Sequence, residues 1–189
     1  MSLRVVVVGI AGVGKTTVVE RVRSLLKGAE LVTFGTVMLE EGKKRKWIKD
    51  RDELRKLPVV KQNQLQTMAA SRISRMTHPS VLVDTHLFIR TKEGFWPGLP
   101  FDVARALKPT HLVLIEAAPE EILSRRATDT KRYRDKIAVE EVKEELELAR
   151  TFLAVVSTIT GAPMFAFRNS AGKADATARR IAGLLRAAK

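Results

Sequence analysis

The sequence contains no cysteine, which excludes a disulfide framework and a thiolate metal site. It also lacks any apolar stretch close to the ~20 residues that a membrane-spanning helix needs, so we expect no membrane partner. Its first residues do not form a signal-peptide pattern, because glycines and then a lysine interrupt the apolar run. These absences together predict a cytoplasmic protein.

Acidic residues are scarce compared with basic ones. The chain has 34 Lys and Arg against 21 Asp and Glu, which gives a formal net charge of +13. Such an excess indicates polyanionic partners, either nucleotides or nucleic acid, so weak RNA binding by the basic surface stays open as a side activity. The 189 residues, 45% of them hydrophobic, suffice for one well-filled core, and we expect residues 1–189 to form a single domain.

Short β-branched runs alternate with longer segments of helical periodicity. This alternation predicts an α/β fold with a parallel sheet that is covered by helices on both faces. We predict strands at 3–8, 30–34, 81–84, 111–115 and 164–167. We predict helices at 16–26, 37–46, 51–76 with a break at Pro58, 101–107, 119–127, 139–158 and 174–187. Ligands in such folds bind beyond the carboxyl ends of the strands, so the residues after each strand are the candidate site.

A glycine-rich loop follows the first strand and opens the first helix. Its pattern, Gly-x-x-x-x-Gly-Lys-Thr, is typical of a P-loop, the phosphate-binding loop of many nucleotide-binding proteins. Backbone N–H groups at a helix N-terminus bind anions, and Lys15 adds a positive charge for the β- and γ-phosphates. The predicted nucleotide-binding residues are Gly9, Ile10, Ala11, Gly12, Val13, Gly14, Lys15, Thr16 and Thr17.

Two oxygen-bearing side chains suit a magnesium ion. The Thr16 hydroxyl follows the loop lysine, and Asp84 stands at the end of the third predicted strand, in the arrangement known as Walker B. Mg²⁺ prefers oxygen ligands and usually bridges the phosphates of a bound nucleotide. We therefore predict Mg²⁺ as the cofactor, with Thr16 and Asp84 as the metal-binding residues.

Arginines follow three of the predicted strands. They are Arg51 and Arg55 after the second strand, Arg90 after the third, and Arg125, Arg126, Arg132 and Arg134 after the fourth. Arginine binds phosphate bidentately, and the arginine-rich segment at about 127–137 predicts a short lid that excludes water. A phosphate acceptor needs positive charge and no general base, whereas a hydroxyl acceptor needs a base. The arginines therefore favour a nucleoside monophosphate as acceptor.

Several motifs together resemble those of a known family. They are Gly9 to Thr17, Phe34-Gly35-Thr36-Val37-Met38, the segment from Lys49 to Leu57, Val83-Asp84-Thr85-His86, Ile89-Arg90-Thr91, Pro97-Gly98-Leu99-Pro100 and Arg132-Tyr133-Arg134. On these residues the chain resembles the archaeal-type adenylate kinases, a branch of the P-loop nucleoside monophosphate kinases, over nearly its whole length. Very many proteins share the P-loop, whereas the segment from Lys49 to Leu57, Asp-Thr-His and Pro-Gly-Leu-Pro are much more particular to this branch.

The resemblance implies an activity, an assembly and a set of roles. It implies reversible Mg²⁺-dependent phosphoryl transfer from ATP to AMP, a five-stranded sheet of order 2-3-1-4-5, and a homotrimer. The implied catalytic residues are Lys15, Arg90, Arg125, Arg132 and Arg134. The implied AMP-binding region spans about 33–62, and the implied substrate-binding residues are Gly35, Arg51, Arg55 and Arg90. The segment from Arg168 to Gly172 would lie near the adenine of ATP.

The chain departs from the family pattern at three positions. Thr36 stands where many members have Asp, Thr128 where a basic lid residue is usual, and Leu39 near an AMP-binding Arg of bacterial relatives. Arg51 or Arg55 takes over the role of that missing arginine in our interpretation.

Two alternative functions stay open. One is a P-loop kinase whose acceptor is CMP, UMP or a small metabolite. The other is a basic P-loop protein that binds nucleic acid. A GTPase switch is disfavoured, because the chain has neither Asn-Lys-x-Asp nor an Asp-x-x-Gly after the third strand.

Overall fold

A computed structural model of the chain describes residues 2–91, 94–128 and 138–188, with the side chain of Arg55 left out. The strands are β1 (Leu3–Val8), β2 (Ala29–Thr33), β3 (Ser80–Asp84), β4 (Phe88–Thr91), β5 (Gly94–Pro97), β6 (His111–Glu116) and β7 (Met164–Arg168). The helices are α1 (Lys15–Leu25), α2 (Phe34–Lys44), α3 (Arg51–Lys56), α4 (Val59–Ser74), α5 (Phe101–Leu107), α6 (Pro119–Thr128), α7 (Val139–Thr160) and α8 (Ala174–Ala187).

Five of the strands form one parallel sheet. Their order is β2-β3-β1-β6-β7, and β4 pairs with β5 in a separate antiparallel hairpin. Counted over the five predicted strands, this is the order 2-3-1-4-5 that we expected. The central strand β1 is buried along four consecutive valines, Val5 to Val8, and successive strand residues point to opposite faces. Both faces of the sheet are therefore covered, and the predicted α/β class is confirmed.

The helices pack around this sheet in two groups. Helix α1 packs against α8, and both contact strands of the sheet. Helix α7 packs against α5 and α6, while α4 packs against α2 and α5. In the part of the chain that the structure describes, no helix is long and apolar enough to cross a membrane.

Two local features differ from the predictions. Helix α2 begins at Phe34, three residues before the predicted start, so Gly35 and Thr36 lie in its first turn. The hairpin of β4 and β5 was not predicted at all, because its strands are four residues long and mostly exposed. Such short segments gain their structure from packing, here an edge-on contact of Phe88 with Phe95 at 5.0 Å between ring centroids.

Candidate active site

The phosphate loop connects β1 with α1, as the motif predicted. Gly12 and Gly14 have φ angles of +92° and +81°, a region that side chains with a Cβ rarely adopt. A Cβ on Gly14 would also lie 2.6 Å from Nδ2, the side-chain amide nitrogen of Asn169. Gly14 therefore serves both the turn and a close contact with the segment that follows β7.

Donors from outside the loop hold three consecutive loop carbonyls. Arg126 Nε donates to the Ala11 oxygen at 2.8 Å, and Arg125 Nη1 donates to the Gly12 oxygen at 3.3 Å and the Val13 oxygen at 3.1 Å. Asn169 Nδ2 also donates to the Val13 oxygen, at 2.8 Å. In a trans peptide the N–H points opposite to the C=O, so the N–H groups that follow these carbonyls point away from α6. In this orientation the loop N–H groups can donate hydrogen bonds to an anion.

Lys15 and Asp84 form an ion pair at the mouth of the loop. Asp84 is the last residue of β3, which lies beside β1 in the sheet with Val7 paired to Asp84. The Lys15 ammonium contacts the Asp84 carboxylate, and both side chains are mostly buried. The Thr16 side chain is exposed in the first turn of α1. The sheet order thus brings together the lysine and the acid that the sequence placed 69 residues apart.

Helix α6 is fixed at its start by Glu121. The Glu121 carboxylate accepts hydrogen bonds from the backbone N–H of Ala171 at 2.7 Å and of Ala118 at 3.1 Å. These bonds, with that from Ala171 the strongest, hold the pKa of Glu121 below its usual value. Glu121 therefore ties the segment after β7 to α6, the helix that supplies Arg125 and Arg126 to the loop.

Arg90 lies on the hairpin and reaches across to α7. Its Nη2 atom lies 2.7 Å from Glu141 Oε2, and its Nη1 atom lies 3.4 Å from Glu145 Oε1. The hydrogen bond to Glu141 raises the pKa of Arg90 and lowers that of Glu141, so both groups stay charged. About half of the Arg90 side chain is exposed, which leaves the guanidinium accessible to an incoming anion.

Arg51 lies beside the first turn of α2. Its Nη2 atom is 3.4 Å from the Thr36 hydroxyl and close to Gly35. Asp50 caps helix α3 by accepting hydrogen bonds from the N–H groups of Asp52 and Glu53, both at 2.9 Å. This cap holds Arg51 at the start of α3. The Arg51 guanidinium lies by the N-terminus of α2, and a cation beside a helix N-terminus suits an anionic ligand.

Two of the motifs most particular to the resemblance, Asp-Thr-His and Pro-Gly-Leu-Pro, meet in space. Gly98 of the Pro-Gly-Leu-Pro element donates its N–H to the Leu87 carbonyl at 2.7 Å. A Cβ on Gly98 would collide with the carbonyl oxygen of His86, which belongs to the Asp-Thr-His element. The glycine therefore lets this segment lie directly against the chain that follows β3, between Asp84 and Arg90.

Comparisons with known proteins identify the family of the chain. A family model described as an AAA domain matches residues 8–143. The adenylate kinase of Thermoplasma acidophilum is 43% identical over 179 residues, which cover 95% of this chain and 96% of that protein. The adenylate kinase of Methanopyrus kandleri is 38% identical, with 98% of this chain and 99% of that protein covered. The chain belongs to both of these families.

Solved structures support the fold of this adenylate kinase family member. A shikimate kinase from Acinetobacter baumannii, solved in complex with shikimate, superposes with a TM-score of 0.62 at 19% identity. The superposition covers 100% of this chain and 96% of that one. At such low identity the likeness concerns the fold alone.

The structure brings the predicted site residues together in two groups. Lys15, Thr16 and Asp84 lie with Arg125 around the loop, and Gly35 lies with Arg51 beside α2. Arg90 lies on the hairpin and is linked to the loop through Glu145 and Arg126. Arg132 and Arg134 lie outside the described residues, as does most of the predicted lid, and of Arg55 the structure describes only the backbone in α3.

The sequence did not predict the contacts of four residues that shape this adenylate kinase site. Arg126 and Asn169 hold the loop, and Glu141 and Glu145 hold Arg90. The two glutamates are spaced i and i+4 on α7, so they share one helix face, which was a usable signal. Arg126 was among the arginines after the fourth predicted strand, and Asn169 lay in the segment expected near the adenine, but nothing in the sequence marked Arg126 as buried against the loop.

Proposed function

We propose that the protein catalyses reversible phosphoryl transfer from ATP to AMP, with two ADP as products. The observation that supports this most is a phosphate loop with Lys15, accompanied by further exposed arginines, in a chain of the adenylate kinase family. Arg90 on the hairpin and Arg51 on α3 are both exposed. Cations that contact both substrates would reduce the mutual repulsion of two anions before they react.

In the proposed reaction the loop amides and Lys15 hold the phosphates of ATP. An oxygen of the AMP phosphate attacks the γ-phosphorus, and the bond to the oxygen that bridges the β- and γ-phosphates breaks. Both substrates are already anions, so no general base is required. Arg90 would hold the AMP phosphate, and Arg125 would support the loop from α6 while charge shifts along the phosphate chain. Arg132 and Arg134 would add cations from the lid at about 127–137.

The residues at the loop fit a magnesium ion. The Thr16 hydroxyl is exposed in the first turn of α1, and the Asp84 carboxylate stands at the end of the neighbouring strand. Mg²⁺ is commonly held by one or two protein oxygens together with nucleotide phosphates and water, so this pair of groups suffices. When bound, the ion would neutralise part of the charge on the transferred group. Asp84 would then interact with two cations, the metal ion and Lys15.

The acceptor specificity is tested by an assay with the purified protein. ATP and Mg²⁺ would be supplied with AMP, CMP, UMP or GMP in turn, and formation of the nucleoside diphosphate measured. We expect AMP to be the preferred acceptor. Activity with CMP or UMP alone would establish the first alternative, and transfer to none of the four would overturn the proposal.

A second test addresses both nucleotide sites at once. Two adenosines joined by five phosphates form a bisubstrate analogue that fits only when donor and acceptor sites lie side by side. We expect tight inhibition that is competitive with both ATP and AMP. Competition with ATP alone would support a phosphate loop without an AMP site, as in the nucleic-acid-binding alternative.

We also propose that the protein acts in the cytoplasm as a homotrimer. Three large apolar side chains, Ile89, Phe95 and Phe101, are exposed on and after the hairpin. Exposed apolar groups of this kind suit contact with another protein surface, and a second copy is the partner that the family resemblance indicates. Light scattering of the purified protein should give three times the 21.0 kDa chain mass. A monomer would contradict the proposal.

Weak RNA binding is a further proposal, and it rests on the end of α2. Lys43, Lys44 and Lys46 are exposed there, and Lys46 adopts a φ of +58° at a position where glycine is normally favoured. A polyanion would contact such a basic turn through its phosphates. Binding to single-stranded RNA should then weaken with salt and fall in a Lys43→Gln, Lys46→Gln double variant. Unchanged binding in that variant would locate the RNA elsewhere.

A further inference from the structure

Glu145 of α7 is a buried carboxylate that lies between two arginines. Its Oε2 atom accepts a hydrogen bond from Arg126 Nη2 at 2.6 Å, and its Oε1 atom lies 3.4 Å from Arg90 Nη1. Only 8% of the Glu145 side chain is exposed. A buried carboxylate must be paired, so Glu145 constrains the position of both guanidinium groups.

The two arginines belong to different halves of the site. The Arg126 side chain is 7% exposed, and its Nε donates a hydrogen bond to the Ala11 carbonyl of the phosphate loop. Arg90 is 49% exposed and is shared between Glu145 and Glu141. A continuous chain of contacts therefore runs from the loop through Arg126 and Glu145 to Arg90.

We propose that Glu145 is a positioning residue that couples the acceptor site to the donor loop. When an acceptor phosphate draws Arg90 away from α7, the Glu145 carboxylate is no longer shared and interacts with Arg126 alone. Arg126 then holds the Ala11 carbonyl more firmly, and the loop amides stay aligned for the phosphates of the donor. Acceptor binding thus tightens donor binding, and the effect is reciprocal, as linkage requires. This inference rests on the proposed function, since it assumes a donor nucleotide at the loop and a phosphate at Arg90.

Glu141 provides a matched control on the same helix face. It lies one turn before Glu145 and contacts Arg90 at 2.7 Å, but no Arg126 contact is found for it in the described part of the chain. Glu141→Gln therefore weakens the hold on Arg90 and leaves the link to Arg126 in place. Glu145→Gln, with the same change of one carboxylate to an amide, weakens both.

The test measures the affinity of a non-hydrolysable ATP analogue with Mg²⁺ by calorimetry, with and without saturating AMP. For the wild-type protein we expect AMP to tighten binding of the analogue by about fivefold or more, the lower end of typical couplings between sites. In Glu145→Gln the effect of AMP should fall below about twofold, whereas Glu141→Gln should retain it. Equal coupling in the two variants, or no coupling in a wild-type protein that binds both ligands, overturns the inference. A wild-type protein that does not bind AMP contradicts the proposed function instead.

A second variant covers the case in which Glu145→Gln does not fold, because that change leaves the buried Arg126 without a carboxylate. Arg126→Lys keeps a cation beside Glu145, but a lysine lacks the planar fork that donates to Glu145 and to Ala11 at once. Thermal unfolding first establishes that the variant is folded. A folded Arg126→Lys protein should also lose the effect of AMP, and retention of the full effect overturns the inference.

Discussion

The proposed donor half and the proposed acceptor half of this site are built in different ways. Around the phosphate loop the supporting groups are buried or half-buried, and Arg125, Arg126 and Asn169 hold three carbonyls. On the proposed acceptor side Arg51 and Arg90 are exposed. Arg51 has a long hydrogen bond of 3.4 Å to Thr36, and Arg90 pairs with two glutamates of α7. The loop backbone is therefore held from several sides, whereas the exposed guanidinium groups can exchange their present partners for a ligand.

The difference follows from what each half does. A loop that binds phosphate through backbone amides must hold its peptide planes in fixed orientations, since each misplaced amide loses a hydrogen bond to a charged group. Arginine side chains that capture a second anion need reach, because the acceptor must enter and its product must leave. A backbone held by hydrogen bonds and exposed guanidinium groups meet these two requirements.

The largest expected effect comes from removing the donor cation. Lys15→Ala should lower the rate of phosphoryl transfer by about 10²–10³-fold, because the charge that faces the transferring group is lost. The variant should stay folded, since Lys15 contacts Asp84 and lies outside the apolar core. Steady-state kinetics and thermal unfolding measure the two effects. Lys27→Ala, an exposed lysine after α1, is the control, and similar losses in both variants would contradict the role of Lys15.

The rigidity of the donor half is tested at two glycines. Gly14 and Gly161 both have positive φ angles, +81° and +70°, but a Cβ on Gly14 would meet Asn169 while Gly161 faces open space. Gly161→Ala should cost about 1 kcal/mol of stability and no activity. Gly14→Ala should cost more stability and about 10²-fold in rate, because the loop shifts. Denaturant unfolding and kinetics measure both. A Gly14→Ala enzyme of normal rate would show that the loop is not preformed.

The acceptor half is tested at Arg90. Arg90→Ala should raise the KM for AMP by about tenfold or more, the value of one hydrogen bond between charged groups, and change the affinity for ATP alone much less. Titrations with each nucleotide separate the two effects. Arg21→Ala, which removes an exposed ion pair with Asp175, serves as the control and should leave both affinities unchanged. A loss confined to ATP would assign Arg90 to the donor half.

The smallest effect concerns the scaffold beneath the acceptor half. Burial alone would raise the pKa of Glu41, but the hydrogen bond from Arg45 and the charges of Lys44, Arg45 and Arg72 bring it below its usual value. A lowered pKa in the folded state adds stability above the ordinary glutamate pKa of about 4.3, and this contribution is lost as the pH falls through the folded value. Through Arg72 the same carboxylate joins α2 to α4.

Glu41→Gln should therefore lower the free energy of unfolding at pH 7 by about 1–3 kcal/mol. As the pH falls through the lowered pKa of folded Glu41, the difference from the wild-type protein should shrink, since both proteins then carry a neutral side chain. Urea unfolding across this pH range measures it. Glu20→Gln on the exposed face of α1 provides the comparison. A difference that is independent of pH would show that shape, and not charge, explains the role of Glu41.

Much of the fold was predictable because its signals are local. Four consecutive buried valines in β1, the glycines of the loop and the helical periodicity of α7 each report their structure within a few residues. The start of α2 and the hairpin were not predicted. Gly35 and Thr36 are poor helix residues that the surrounding chain holds in a first turn, and β4 with β5 is stabilised by contacts such as that of Phe88 with Phe95.

The sequence by itself determined the class of the protein, the phosphate loop and the excess of arginine, because motif spacing and composition carry that information directly. Only the tertiary structure decided what each arginine touches. Arg125 and Arg126 are neighbours on one helix, yet one holds Gly12 and Val13 while the other connects Ala11 to Glu145. Partners of this kind lie between 19 and 115 residues apart along the chain. The packing of α6 and α7 against the loop sets these pairings, and no local pattern encodes them.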